Sequence, residues 1–398
     1  MQRKLVQFGA GNIGRSFIGQ LFARSGYDVV FVDINEQLVK ALNERKAYQV
    51  VIKRNQLPDE ILWVRNVRAV DGRDRDLVAK EIAGAAILAT AVGQHALPHI
   101  FPVLAEGLRK RIEQCGRESI DIIIAENIRH GACYFAEELG KSLGGVEDIK
   151  RLVGLVETSI GKMVPLMTRK DIDKDPLWIF AEPYNTLIVD KHGFVHQIPD
   201  VDGLSPVENI AAYVDRKLFI HNLGHAAAAY LGYAYNPDIV FMYKALAIPD
   251  VYQKTRQCME QSAVALHKAY PEDLTLSALH EHVDDLLERF QNRSLGDTIF
   301  RVGRDLPRKF HKDDRLVGAM LLAKKYGCPC NAIAEAVIAG CKFRATDEAG
   351  DLSPEDKLFA EQDYPAGLEH ILTHVCQLSR ANKLEADVTD EIMKNYKD

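Results

Sequence analysis

The chain has no uninterrupted apolar run of membrane-spanning length, so no transmembrane helix is expected in its 398 residues. It has no basic excess either. Fifty Lys and Arg against 56 Asp and Glu leave a formal charge of −6, which argues against nucleic acid as a partner. Cysteine is sparse: seven residues, at 115, 133, 258, 328, 330, 341 and 376, an odd number with no CxxC pair. That pattern excludes a disulfide framework and points to reduced thiols in the cytoplasm. Metal-ligand spacing is also lacking. Cys328-Pro329-Cys330 stands without further ligands, and His370/His374 at i, i+4 has no glutamate after the first histidine. These histidines, and His280-Glu281-His282, read as surface residues, and no metal is expected. The first nine residues pass from Arg3-Lys4 into a short strand without the apolar core of a secretion signal.

What is present is an ordinary globular composition, 47% hydrophobic and 27% charged, at a length that favours two domains. The first part alternates strand and helix: strands at 4–8 and 28–33, helices at 12–25 and 35–45, further strands at 48–53 and 62–70, an apolar run at 85–89, an amphipathic helix at 96–114 and a buried strand at 121–125. This alternation predicts an α/β, Rossmann-type, doubly wound parallel sheet. Extra strands are expected at 152–158 and 186–190. From about Ser205 helical periodicity dominates. The expected division is therefore 1–198, a dinucleotide-binding domain with extra strands, and 199–398, a mostly α-helical substrate domain.

Gly9-Ala10-Gly11-Asn12-Ile13-Gly14 fits G-x-G-x-x-G, and it follows a strand and opens a helix, the context that gives the motif its meaning. The first glycine permits the tight turn, the second lets backbone approach a pyrophosphate, and the third lets helix and strand pack. Phe8, Gly9, Ala10, Gly11, Asn12, Ile13 and Gly14 are thus candidate cofactor contacts. Asp33 ends the second strand, where a carboxylate accepts from the adenosine ribose hydroxyls and repels a 2′-phosphate. No arginine follows in Ile34-Asn35, so the expected cofactor is NAD. Thr90, Ala91 and Val92 end a later strand at the same sheet edge and are expected to line it.

Lys217, Asn222 and His225 lie within nine residues of one another. At roughly 100° per residue, Asn222 and His225 are about 60° apart around a helix, and Lys217 and His225 about 80°. A helix over 215–231, favoured by Ala226–Ala229, would turn them toward one cavity.

Together these elements resemble the polyol-specific long-chain dehydrogenases. The likeness runs through Phe8–Arg15, Thr90–Gly93, Ala125-Glu126-Asn127, Arg216-Lys217-Leu218-Phe219 with Asn222 and Gly224-His225, Arg301-Val302-Gly303-Arg304 and Pro307-Arg308-Lys309. The resemblance implies metal-independent hydride transfer with NAD. It makes Lys217 the general base, Asn127 and Asn222 donors to the developing oxyanion, and His225 the group that orients the hydroxyl or the lysine. It implies reversible oxidation of D-mannitol 1-phosphate to D-fructose 6-phosphate. Another polyol phosphate, a free polyol or a hexuronate is the alternative substrate, and a catalytically silent NAD-binding sensor the alternative class. Arg301, Arg304, Arg308, Lys309 and Lys162 are candidates for the substrate phosphate. Gly161-Lys162 stands where such enzymes often carry Asp-Arg, so Lys162 keeps the charge but not the planar fork. The expected partner is a small-molecule polyol phosphate, with no nucleic acid or membrane, and the protein is expected to be a monomer or small homo-oligomer.

Overall fold

The computed structural model describes residues 3–115, 119–165 and 167–396, with Cys115 described by its backbone alone. The thiol of Cys115 lies outside the described residues. Cys133, Cys258, Cys328, Cys330, Cys341 and Cys376 are free, and all but Cys133 are buried. Two compact units divide the chain, Met1–Ile210 and Ala211–Asp398.

The first unit is built on β1 (Lys4–Phe8), β2 (Asp28–Asp33), β3 (Ala47–Ile52), β4 (Glu60–Arg65), β5 (Val67–Asp71), β6 (Ile87–Thr90), β7 (Ile120–Ile124), β8 (Val153–Ser159), β9 (Ile179–Ala181), β10 (Leu187–Asp190) and β11 (Leu204–Val207). Eight strands form one sheet in the order β11-β10-β8-β7-β6-β1-β2-β5. All pairs are parallel except β10 with β8. Strand order reverses between β1 and β6, the crevice where doubly wound sheets bind dinucleotides. The unit runs past residue 198 because β11 pairs with β10.

Alternation along β1 explains the double winding. Leu5 faces a core with Phe17, Ile18 and Phe22, while Val6 and Phe8 face the other core with Ile82, Leu104 and Phe135. Burial of each such side chain contributes about 2 kcal/mol. Capping fixes where helices begin: the Asn35 side chain accepts from Leu38 N at 3.1 Å, and Asp74 accepts from Leu77 N at 3.1 Å.

One departure from the sequence pattern lies at 62–70. The single strand expected there is two, β4 and β5, because Asn66 takes a left-handed conformation with φ 59°. β4 then pairs antiparallel with β3, and β9 joins the other side of β3 as a second, three-stranded sheet.

The second unit is helical. Its organising element is one continuous helix over residues 210–235 whose central stretch, Lys217–Asn222, is π-helical. Ala226, Ala227, Ala228 and Ala229 are fully buried. A Cβ on Gly224 would lie 2.5 Å from Met259 Sδ, so the helix Pro249–Ala269 approaches its backbone closely.

The fingerprint glycines differ in what surrounds them. A Cβ on Gly14 would sit 2.0 Å from the Gly9 carbonyl oxygen, whereas one on Gly11 meets nothing within 4 Å. Gly14→Ala is therefore expected to cost about 1–3 kcal/mol, and Gly11→Ala about 0.5 kcal/mol or less. Urea unfolding of both variants checks this; equal midpoints would contradict it.

Candidate active site

At the β1–helix turn, Gly9 has φ +87° and lies so near Ala91 that a Cβ would be 2.4 Å from the Ala91 oxygen. Asp33 ties this turn to β2. Its Oδ2 accepts from Ala10 N at 2.7 Å and its Oδ1 from Asn35 N at 2.9 Å. One lone pair on each oxygen is left for a ribose hydroxyl. Open space beside Gly11, at the start of the following helix, is what close approach of a pyrophosphate requires. Phe8, Gly9, Ala10 and Gly14 are buried beneath that surface, while Gly11 and Asn12 are exposed and Ile13 partly so. Past the end of β5, Arg73 is held by Asp71 and Glu36. The residues present thus suit an adenosine diphosphate without a 2′-phosphate.

Arg15, the residue after the fingerprint, is buried. Its Nε donates to Ala10 O at 2.6 Å and its Nη1 to Leu177 O at 3.0 Å, while Tyr48 Oη donates to the Arg15 carbonyl at 2.8 Å. Burial lowers its pKa.

Thr90 ends β6 buried, and Ala91 and Val92 follow partly exposed. Beside them, at the end of β7, stands Glu126, 6% exposed. Its Oε1 accepts from Val92 N at 2.8 Å and its Oε2 from Gly93 N at 2.9 Å. Burial raises its pKa against the pull of those two amides. Asn127 follows, exposed, and the same loop is held at its far end by Glu157 Oε1, which accepts from Ala132 N at 2.8 Å. Lys162 lies in the interior of this first unit. Its Nζ donates to Tyr184 O at 2.6 Å and Asn185 Oδ1 at 3.1 Å and stands 5.1 Å from the centre of the Phe17 ring.

In the second unit the π-helical stretch changes how the lysine motif is displayed. An α-helix would set Lys217 and Asn222 about 140° apart. In a π turn residues five apart are bonded neighbours along one face, so Lys217 and Asn222 stack one turn apart. Lys217 is half-buried, and its pKa is pushed down to about 8. Desolvation is the main cause; Arg315 and Arg308 add to it and Asp314 opposes it. His225 lies flat on Phe290, centroids 4.6 Å apart and planes 4° from parallel. Its Nε2 is 3.5 Å from Oδ2 of the buried Asp297. Asp297 Oδ1 also accepts from Arg301 Nη1, so Arg301 and His225 share one carboxylate. His221, one turn before His225, is buried and its pKa lies well below the usual histidine value, with desolvation the main cause.

The basic segment forms a turn anchored from beneath. Asp356 accepts from Asp305 N at 3.0 Å and Leu306 N at 2.7 Å. Lys309 is buried with its Nζ donating to Arg304 O, and desolvation, reinforced by Arg315 and Arg308, brings its pKa to about 7. Arg308 pairs with Asp305 and, at 3.3 Å, with Asp314, which also accepts from Arg315 Nε at 2.7 Å. Arg304 is exposed. The structure thus groups Lys217 with Arg308, and Lys309 with Arg304 and Arg308. Arg301 belongs instead with His225, and Lys162 and Asn127 stand in the first unit. Sequence reasoning missed Glu126, Asp297, Asp314 and Arg315. Glu126 had a local signal in its place beside Asn127 at a strand end, and Asp297 in standing four residues before Arg301.

The mannitol dehydrogenase Rossmann domain matches residues 3–203 and the mannitol dehydrogenase C-terminal domain residues 209–394. A mannitol-1-phosphate 5-dehydrogenase of Geobacillus thermodenitrificans is 33% identical over 99% of this chain and all of its own. Among solved structures, a D-sorbitol dehydrogenase in substrate-free form superposes with a TM-score of 0.77 at 13% identity, covering 98% of this chain and 91% of its own. The Pseudomonas fluorescens mannitol 2-dehydrogenase ternary complex with NAD and D-mannitol gives 0.66 at 14%, covering 99% and 94%. Matched by both domains and by a relative of equal length, this chain belongs to the mannitol dehydrogenase family.

Proposed function

We propose that this protein is a cytoplasmic, NAD-dependent dehydrogenase that interconverts D-mannitol 1-phosphate and D-fructose 6-phosphate, with Lys217 as general base and no catalytic metal. The observation that carries this reading is the half-buried lysine with its pKa near 8, on a chain whose other unit carries the dinucleotide turn. The full-length relative named a mannitol-1-phosphate 5-dehydrogenase supports the substrate.

NAD+, when bound, supplies the hydride acceptor. Desolvation leaves an appreciable neutral fraction of Lys217 near neutral pH, and the neutral amine takes the proton from the substrate hydroxyl. Negative charge building on that oxygen is met by the amide of Asn222, and the family resemblance implies the same donor role for Asn127. His225, held flat on Phe290 with Asp297 at its Nε2, orients the hydroxyl. Arg301 is engaged by Asp297, and Lys162 by Tyr184 and Asn185. The cations proposed for the phosphate are the exposed Arg304, the pair Arg308 and Arg315 that shares Asp314, and the buried Lys309. A bidentate arginine matches phosphate geometry in a way that lysine cannot.

The base must be neutral to accept a proton. For polyol oxidation kcat/KM is therefore expected to climb with pH, roughly tenfold per unit, and to level off above about 8. Lys217→Met is expected to lower kcat by about 10²–10⁴ and to erase that limb while NAD titration gives an unchanged affinity. A variant that keeps the wild-type profile removes the base.

Substrate identity is tested by following NADH absorbance with phosphorylated and free hexitols side by side. Mannitol 1-phosphate is expected to turn over and mannitol not. Turnover confined to the free sugar moves the assignment to a polyol dehydrogenase, and no turnover of any polyol moves it to an NAD sensor.

A further inference from the structure

In a sheet of this order the two halves each take one mononucleotide. Asp33 and the fingerprint serve the adenosine half, on β1, β2 and β5. The ends of β6 and β7 therefore belong to the nicotinamide half, and Glu126 is the group that joins them. It is fixed to β7, it is almost fully buried, and its two oxygens hold two successive amides of the β6 loop at 2.8 and 2.9 Å. The next residue along β7's loop is Asn127.

We propose that Glu126 is a positioning residue: its carboxylate clamps Val92 and Gly93 into the shape that receives the nicotinamide mononucleotide, and the same clamp fixes the root of the loop that presents Asn127. Three features support this. Gly93 has φ +86°, a conformation glycine adopts freely, and in it the Gly93 amide donates to the Glu126 carboxylate. A buried carboxylate is expensive unless its oxygens are satisfied, and these two amides satisfy one lone pair on each. Finally, Glu157 secures the other end of the Asn127 loop through Ala132, so the span between carries a fixed geometry only while both carboxylates hold.

The inference rests on the NAD reading above, and the test separates the two. Glu126→Gln keeps the shape but offers one acceptor and one donor, so one of the two amides faces a donor. Binding of NAD and of ADP, which lacks the nicotinamide half, is measured by calorimetry for wild type and variant. NAD affinity is expected to fall at least tenfold and ADP affinity to stay within about twofold, since the loop that loses an acceptor shapes only the nicotinamide half. The variant's KM for NAD rises and its kcat falls, because Asn127 shifts as well. Equal weakening of NAD and ADP means a general structural role and overturns the proposal, as does unchanged NAD affinity. Wild type that binds ADP but not NAD overturns the cofactor reading and this inference with it. If Glu126→Gln does not fold, Glu126→Asp, which withdraws the charge by one methylene, is judged by the same NAD-to-ADP comparison.

Discussion

Removing one ammonium group from water is the constraint on which the second unit depends. A lysine amine in solvent is charged at neutral pH and has no lone pair to give. Partial burial of Lys217 among cations shifts that balance, and Asp314 limits the shift by sitting among the same arginines. The surrounding architecture reads as the means of arranging this. A helix lined with fully buried alanines sits deep in its unit, and the Arg304–Lys309 turn is held from below by Asp356.

The first unit solves the opposite electrostatic problem. Its edge must receive an anion, and it does so largely with backbone. Gly9 and Gly14 are glycines because neighbouring carbonyl oxygens leave no room for a methyl group, and Gly11 because the space above it is kept clear. The charged groups placed there, Asp33 and Glu126, spend their oxygens on backbone amides. They shape the edge rather than neutralise a ligand.

Much of this was legible in the sequence where the determinant is local. The glycine fingerprint, the strand before it and the carboxylate at the end of β2 depend on short-range backbone geometry. β1, β2, β6, β7 and β8 each lie within two residues of the expected run, while β5 begins five residues into its run and β11 falls where helical periodicity was expected to begin. What the sequence hid is tertiary. Asn66 looked like one polar residue within a strand, but its left-handed turn splits β4 from β5 and creates a second sheet. The cationic residues looked like one cluster, yet Arg301 is drawn to Asp297 while Arg308 shares Asp314 with Arg315. Carboxylates sort those cations: Asp297 stands four residues before Arg301 and Asp305 three before Arg308, a spacing that points to each pair, whereas the sharing of Asp314 by Arg308 and Arg315 is set by the fold. The helix carrying the lysine was visible, but its altered winding was not, since the residue types are those of any helix.

That winding has a consequence for how the chain can change. A π turn holds one more residue than the α turn it replaces, so the stretch Lys217–Asn222 behaves as a built-in insertion. Deleting one residue there would close a regular α-helical ladder while the helix on either side kept its facing. His225 would stay on Phe290 and beside Asp297, and the buried alanines would keep their neighbours. What would change is the display inside the turn, where Lys217 and Asn222 would stand four residues apart instead of five. The irregular winding is in that sense a local adjustment, confined to the stretch that carries the lysine.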